Sequence, residues 1–198
     1  MQAQSPAAGF ILASSSTYRK MLLERLGIPF EVCSPSIDEA PLPGEPPDQL
    51  VSRLASDKAR AAARRFPSSV IIGSDQLAVC GDRLVGKPGN TANAVGQLRE
   101  FSGRTVLFLT AVAVTCIDTA FSYERTVATD VHFRDLTDAE ILRYVEMDNP
   151  VDCAGSFKSE AGGISLLRSM TSEDPTAIIG LPLIAVSEAL RLAGFHVP

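Results

Sequence analysis

Apolar residues in this chain occur in short blocks that switch between strand-like and helix-like spacing. Phe10 to Ala13 is a compact apolar run, which predicts a short buried strand. Met21, Leu22, Leu23 and Leu26 then fall on one side of a helix, and Gly27 stops it. Phe30 to Cys33 predicts a second strand, and the Pro- and acid-rich stretch from Ser34 to Pro47 predicts a surface loop. A helix should begin at Pro47 or Asp48, because proline suits the first helical turn, and run to about Arg65. Val70 to Ser74 is a β-branched core strand, with Gly81-Asp82 turning into a paired Leu84-Val85. Thr91 to Phe101 has helical spacing and ends near Gly103. Val106 to Cys116 and Ser122 to Phe133 alternate as two long strands joined around Asp118-Thr119, an antiparallel hairpin. Thr137 with Glu140 three residues on is a capping box, Met147 to Gly163 a Gly- and Ser-containing loop, and Leu183 to Ala193 a closing helix. Such a mixture predicts an α/β fold with a mixed sheet and flanking helices.

At 198 residues the chain suits a single domain, residues 1–198, whose two lobes share one sheet, with a lobe border near Gly103. The formal charge of −5 repels nucleic acid, so cations that serve an anionic ligand must be local. Cys33, Cys80, Cys116 and Cys153 are scattered without paired spacing, and only His132 and His196 accompany them, which disfavours structural zinc. The opening Met1 to Pro6 has no basic leader, and no apolar run reaches bilayer length. A soluble protein of a reducing cytoplasm, with neither membrane nor nucleic acid as partner, is the expectation.

The chemistry gathers in a few polar turns. Ser14, Ser15 and Ser16 follow the first strand and open a helix whose unpaired N–H groups and dipole favour an anion, and Arg19 adds a planar fork for phosphate oxygens. Asp75 ends the run Ile71-Ile72-Gly73-Ser74, where the carboxyl end of a strand in an open α/β sheet usually meets a ligand. Lys58 lies upstream in an Ala- and Arg-rich helix, Lys87 lies between Gly86 and Pro88, and Asp38-Glu39 sits on the Pro-rich loop. Taken singly, each has an ordinary structural explanation: a helix cap, a turn-capping aspartate, a solvated lysine, an acidic loop. Their conjunction points to phosphate chemistry with a metal. The serine turn lacks the glycines of a P-loop or a dinucleotide fingerprint.

The set Leu12-Ala13-Ser14-Ser15-Ser16-Thr17-Tyr18-Arg19, Ile37-Asp38-Glu39, Asp57-Lys58-Ala59, Ile72-Gly73-Ser74-Asp75-Gln76, Gly86-Lys87-Pro88 and Gly180-Leu181-Pro182-Leu183 resembles the Maf family of nucleoside triphosphate pyrophosphatases. The resemblance implies an elongated α/β fold with two lobes around a central cleft. It also implies a cytoplasmic, commonly homodimeric enzyme that uses Mg2+ or Mn2+ to hydrolyse a nucleoside triphosphate to monophosphate and pyrophosphate. By the same resemblance Asp75 is the proton acceptor, Glu39 and Asp75 hold the metal, and Ser14, Ser16, Arg19, Lys58 and Lys87 serve the phosphates.

The segment Asp152-Cys153-Ala154-Gly155-Ser156-Phe157-Lys158-Ser159-Glu160 is similar to the YceF-like branch of that family, which acts on 7-methyl-GTP. That similarity assigns base selection to Tyr18, Gln76 and Glu160, with Lys158 as a further substrate contact and Phe157 as core. Tyr18 stands where the branch has tryptophan and Thr17 where the family has proline. Methylated guanine is cationic, so an aromatic face attracts it by roughly 0.5–2 kcal/mol, and a carboxylate such as Glu160 can accept from its ring N–H and amino groups. The alternatives are a dTTP or UTP pyrophosphatase of the same family, and a nucleotide-binding regulator of septum formation without turnover.

Overall fold

The computed structural model describes residues 9–197. It contains seven strands and five helices: β1 (Phe10–Ala13), α1 (Thr17–Glu24), β2 (Glu31–Cys33), α2 (Pro47–Ala63), β3 (Val70–Cys80), β4 (Arg83–Val85), α3 (Thr91–Phe101), β5 (Thr105–Cys116), β6 (Phe121–Phe133), α4 (Asp138–Asp148), β7 (Leu167–Ser172) and α5 (Leu183–Leu192). The strands form one mixed sheet in the order β2-β1-β3-β5-β6-β7, with β4 paired to β3. The fold is mixed α/β. Among the described residues no helix is long and apolar enough to cross a membrane.

Most elements lie where the hydrophobic spacing puts them. Thr137 caps α4 through a reciprocal capping box with Glu140, and Asn90 caps α3 by accepting from the Asn93 N–H at 2.8 Å. Only four residues separate the neighbouring strands β5 and β6, a connection that requires antiparallel pairing. Two expectations change. The core strand does not end at Ser74: β3 continues through Asp75 to Cys80, and its far end pairs antiparallel with β4. A further strand, β7, adds to β6 at the sheet's edge. Its half-exposed sequence Leu-Arg-Ser-Met-Thr-Ser has little apolar alternation to announce it.

The chain divides into two compact units. Unit 1 comprises residues up to Asp75, Thr110–Val127 and Asp174 onward, and unit 2 comprises Gln76–Leu109 and Ala128–Glu173. The division therefore falls inside β3, β5 and β6. Gly103, expected as a border, lies within unit 2, where its φ of +69° forms a tight turn before β5.

Unit 1 is built on parallel strands. β1 pairs parallel with β2 from Ile11–Glu31 to Ala13–Cys33, and with β3 from Phe10–Val70 to Leu12–Ile72. The chain goes from β1 to one neighbour and then crosses back to the other, so the carboxyl end of β1 is a topological switch point, where open α/β sheets leave a crevice. Its core gathers Phe10, Leu12, Leu22, Leu23, Ile72, Val112, Leu181 and Val186, with Phe30 and Phe195 packed on the Phe10 ring. In unit 2, Phe157 packs against Phe108 and Phe133, as the core expectation for that residue has it.

One close approach positions α2. A Cβ on Gly73 would lie 2.3 Å from the Ala55 carbonyl oxygen and 2.7 Å from the Ala59 nitrogen, so helix and strand touch backbone to backbone there. Gly73→Ala must push α2 off the sheet. It should cost at least about 2 kcal/mol of unfolding free energy in urea denaturation; an unchanged midpoint would refute this packing.

Candidate active site

Unit 1 brings six of the sequence-predicted residues together: Ser14, Ser16, Arg19, Glu39, Lys58 and Asp75. The serine turn after β1 is internally bonded. Ser16 caps α1 by accepting the Arg19 N–H at 3.3 Å, while Ser14 Oγ accepts from the Ser16 N–H at 3.2 Å and from Arg19 Nη1 at 3.4 Å. Arg19 is not a solvated helix residue. Its Nε donates to the Gly180 carbonyl at 2.8 Å, and the same carbonyl accepts from the fully buried Ser74 hydroxyl at 3.0 Å. Burial lowers the guanidinium pKa from its ordinary value, opposed by the carboxylates of Asp75 and Glu39. Arginine stays protonated through such shifts, so a fixed positive charge faces two negative ones.

Lys58 is the hub of those charges. It is carried by α2 at the register where Gly73 admits the helix, and only 9% of the residue is exposed. Its Nζ lies 2.6 Å from Asp75 Oδ1 and 2.8 Å from Glu39 Oε1. The two contacts differ in strength because their surroundings differ. Asp75 keeps 13% of its side chain exposed, whereas Glu39 keeps 62%. Removing one partner of a buried pair costs about 3–5 kcal/mol, against about 0–1 kcal/mol for an exposed one. Lys58–Asp75 is therefore the anchor, and Glu39 is the carboxylate easily drawn to another cation. Asp75 sits inside β3, past Ile72, the last β3 residue that pairs with β1. Asp75 therefore lies beyond the parallel pairing, towards the carboxyl end of β1 where the topology switches, although the strand does not end there.

Arg53 has a role that the sequence reading missed. It grips Glu45 with Nε at 2.6 Å and Nη2 at 2.8 Å, and Nη2 also donates to the Ala40 carbonyl at 3.1 Å. Asp38 Oδ1 accepts from the Ala40 N–H at 2.9 Å, turning the chain beside Glu39. The Pro-rich loop is thereby clipped to α2 just after Glu39, at Ala40 and Glu45. The Arg53 bond holds the Glu45 carboxyl down at about 2. A depressed carboxylate stabilises above its ordinary pKa near 4.5 and loses that contribution as pH falls towards 2, so the clip is intact throughout the neutral range. The signal available in sequence was an arginine one turn before Asp57 on a helix that follows an acidic loop.

The remaining candidates belong to unit 2, except Tyr18, which is half-buried on α1. Gln76 is half-buried in β3. Lys87 is exposed on a segment whose Gly86 carbonyl accepts from Gln97 Nε2 at 3.3 Å and the Gly155 N–H at 3.2 Å. Glu160 is an exposed carboxylate on a loop held by Tyr144, whose hydroxyl accepts the Lys158 N–H at 3.0 Å and donates to the Ser156 carbonyl at 3.3 Å. Burial pushes the Tyr144 phenol up, so it remains a donor. Lys158 Nζ donates to the carbonyl of Asp148 at 2.8 Å, capping the end of α4. A cation on a helix C-terminus complements the dipole there, and that bond gives Lys158 a structural task.

The Maf-like protein model matches residues 9–193. The chain belongs to the Maf-like protein family. It is 52% identical over 188 residues to the 7-methyl-GTP pyrophosphatase of Aromatoleum aromaticum, covering 95% of this chain and 97% of that protein. The protein of the same name from a Polaromonas species is 53% identical over 184 residues, 93% of this chain and 84% of its own. That of Nitrosococcus oceani is 46% identical over 200 residues and all of both chains. Against this family background the Arg53 clip gives a direct test. Arg53→Ala should make the stretch 34–46 the first site of limited proteolysis at neutral pH, while the wild-type loop resists; equal cleavage rates would remove the clip from the account.

Proposed function

We propose that this chain is a nucleoside triphosphate pyrophosphatase that hydrolyses 7-methyl-GTP to the monophosphate and pyrophosphate. The observation that carries the reading is the ammonium of Lys58 held between Asp75 and Glu39, with the Arg19 guanidinium fixed on Gly180 in the same unit. Two carboxylates and two cations beside a topological switch point suit a substrate that is both polyanionic and metal-bound. The names of the relatives supply the substrate class.

The residues divide the work. Arg19 and Lys58 bind and orient the phosphates, helped by the Ser14 hydroxyl and by the Ser16-capped N-terminus of α1. The family resemblance gives Lys87 the same task. Asp75 gives one oxygen to Lys58 and has a second to accept the proton of a water aimed at the α-phosphorus. Positioning of this kind, rather than covalent chemistry, supplies most of the acceleration in phosphoryl transfer.

A divalent cation fits the donor set. Asp75 and Glu39 already converge on one positive centre, and Mg2+ or Mn2+ is commonly held by one or two carboxylates plus substrate phosphates and water. The substrate's phosphates and water would complete the coordination. When bound, the ion neutralises phosphate charge and stabilises the pyrophosphate leaving group.

Base selection is assigned to Tyr18, Gln76 and Glu160. The same reading includes a homodimer in the cytoplasm, as the family resemblance implies, and sedimentation at micromolar protein tests the dimer. Asp75→Asn should lower turnover by roughly 10²–10⁴-fold with its circular dichroism unchanged. Glu160→Ala should lose activity on 7-methyl-GTP far more than on dTTP or UTP. Equal losses on all three nucleotides would remove Glu160 from base recognition, a wild type that prefers dTTP or UTP would favour that reading, and nucleotide binding without pyrophosphate release by the wild type would favour a non-catalytic sensor.

A further inference from the structure

The segment between β7 and α5 holds a buried polar clip outside the charged site. Asp174 is 2% exposed. Its Oδ1 accepts from the Thr176 N–H at 2.9 Å and lies 2.6 Å from the Thr176 hydroxyl, while Oδ2 accepts from the Ile184 N–H at 2.7 Å. Thr176 Oγ1 also accepts from the Leu183 N–H at 2.8 Å and lies 2.9 Å from the Leu181 carbonyl. From β5, the fully buried Thr110 hydroxyl donates to the Ala177 carbonyl at 2.9 Å. Every one of these bonds lands within Asp174–Ile184, so the turn containing Gly180 is fixed at both of its ends and in its middle.

That turn has one outward product. Gly180, at φ +123°, presents a carbonyl that accepts from both Arg19 Nε and Ser74 Oγ. The left-handed backbone there is open only to glycine, so the carbonyl cannot be re-aimed cheaply. A guanidinium has five donors in a rigid fork; fixing Nε at 2.8 Å on Gly180 and Nη1 on Ser14 sets the plane in which the others must point. A carboxylate and two hydroxyls that hold the 174–184 segment thus decide where the Arg19 fork aims.

We propose that Asp174 and Thr176 are positioning residues for the phosphate site, acting through the Gly180 carbonyl on the Arg19 guanidinium. The inference rests on the pyrophosphatase reading of the Arg19–Lys58 site. Removing the clip frees the 180 turn, and a misdirected guanidinium loses its charge-assisted bond to phosphate without any loss of charge.

The test is a double-mutant cycle between Asp174→Asn and Arg19→Ala, read both as pyrophosphate release from 7-methyl-GTP and as affinity for inorganic tripolyphosphate by calorimetry. Asp174→Asn alone should cut kcat by on the order of 10²-fold and weaken tripolyphosphate roughly tenfold. In the Arg19→Ala background both effects should shrink to less than about twofold, while the fall in melting temperature caused by Asp174→Asn persists unchanged. A purely structural role for Asp174 would instead give the same fold-loss in both backgrounds, and that result overturns the proposal. If Asp174→Asn does not fold, Thr176→Val with Thr176→Ser as its rescue carries the same cycle: serine should restore activity to within about twofold, and failure of that rescue overturns the proposal equally. A wild type that binds tripolyphosphate but releases no pyrophosphate sinks the functional reading alone, because the affinity cycle still decides the positioning. A wild type that binds no tripolyphosphate sinks both.

Discussion

The candidate site depends on a single lysine that folding takes almost out of water. A buried ammonium is tolerated only when paired, and Lys58 has Asp75 at 2.6 Å and Glu39 at 2.8 Å. This requirement links three stretches of chain that are distant in sequence: the middle of α2, the inside of β3 and the Pro-rich loop. Since Glu39 is mostly exposed, the cluster is strong on its Asp75 side and labile on the other. A charge group built that way is stable without ligand and can still yield one carboxylate to an incoming cation.

Close backbone contacts make the pairing possible. With no Cβ at residue 73, α2 reaches β3 through Ala55 and Ala59, and Lys58 needs no stretch to meet Asp75. Gly180 plays the matching part for Arg19, offering a carbonyl from a conformation that other residues rarely adopt. Both cations of the candidate site, Lys58 and Arg19, are thus aimed by glycines that carry no chemistry themselves. Their surroundings, the Arg53 grip on Glu45 and the Asp174–Thr176 clip, hold the pieces that would otherwise move.

How much of this could be read from the sequence follows from how local each feature is. The capping box at Thr137, the Ser16 cap and the helix from Pro47 depend on neighbours within a turn, and the sequence displays them openly. Ser14, Arg19, Glu39, Lys58 and Asp75 were legible as a set because a known motif order tied them together, yet the bond that unites three of them at Lys58 was not. The end of β3 was misjudged because hydrophobicity falls at Asp75, while the strand persists by pairing with β4 beyond it. β7 was missed because a half-exposed edge strand needs little apolar alternation. The bond from Lys158 to the end of α4 is equally hidden, because nothing local reveals that α4 returns beside it.

The convergence of Asp75 and Glu39 on one positive centre is the claim with most resting on it, and manganese binding probes it without recourse to turnover. Electron paramagnetic resonance of Mn2+ titrated into the protein with 7-methyl-GTP present should show one bound ion in the wild type. That signal should be lost in both Glu39→Gln and Asp75→Asn. Full manganese binding in either single variant would contradict the account, because the two carboxylates would then not share a cation.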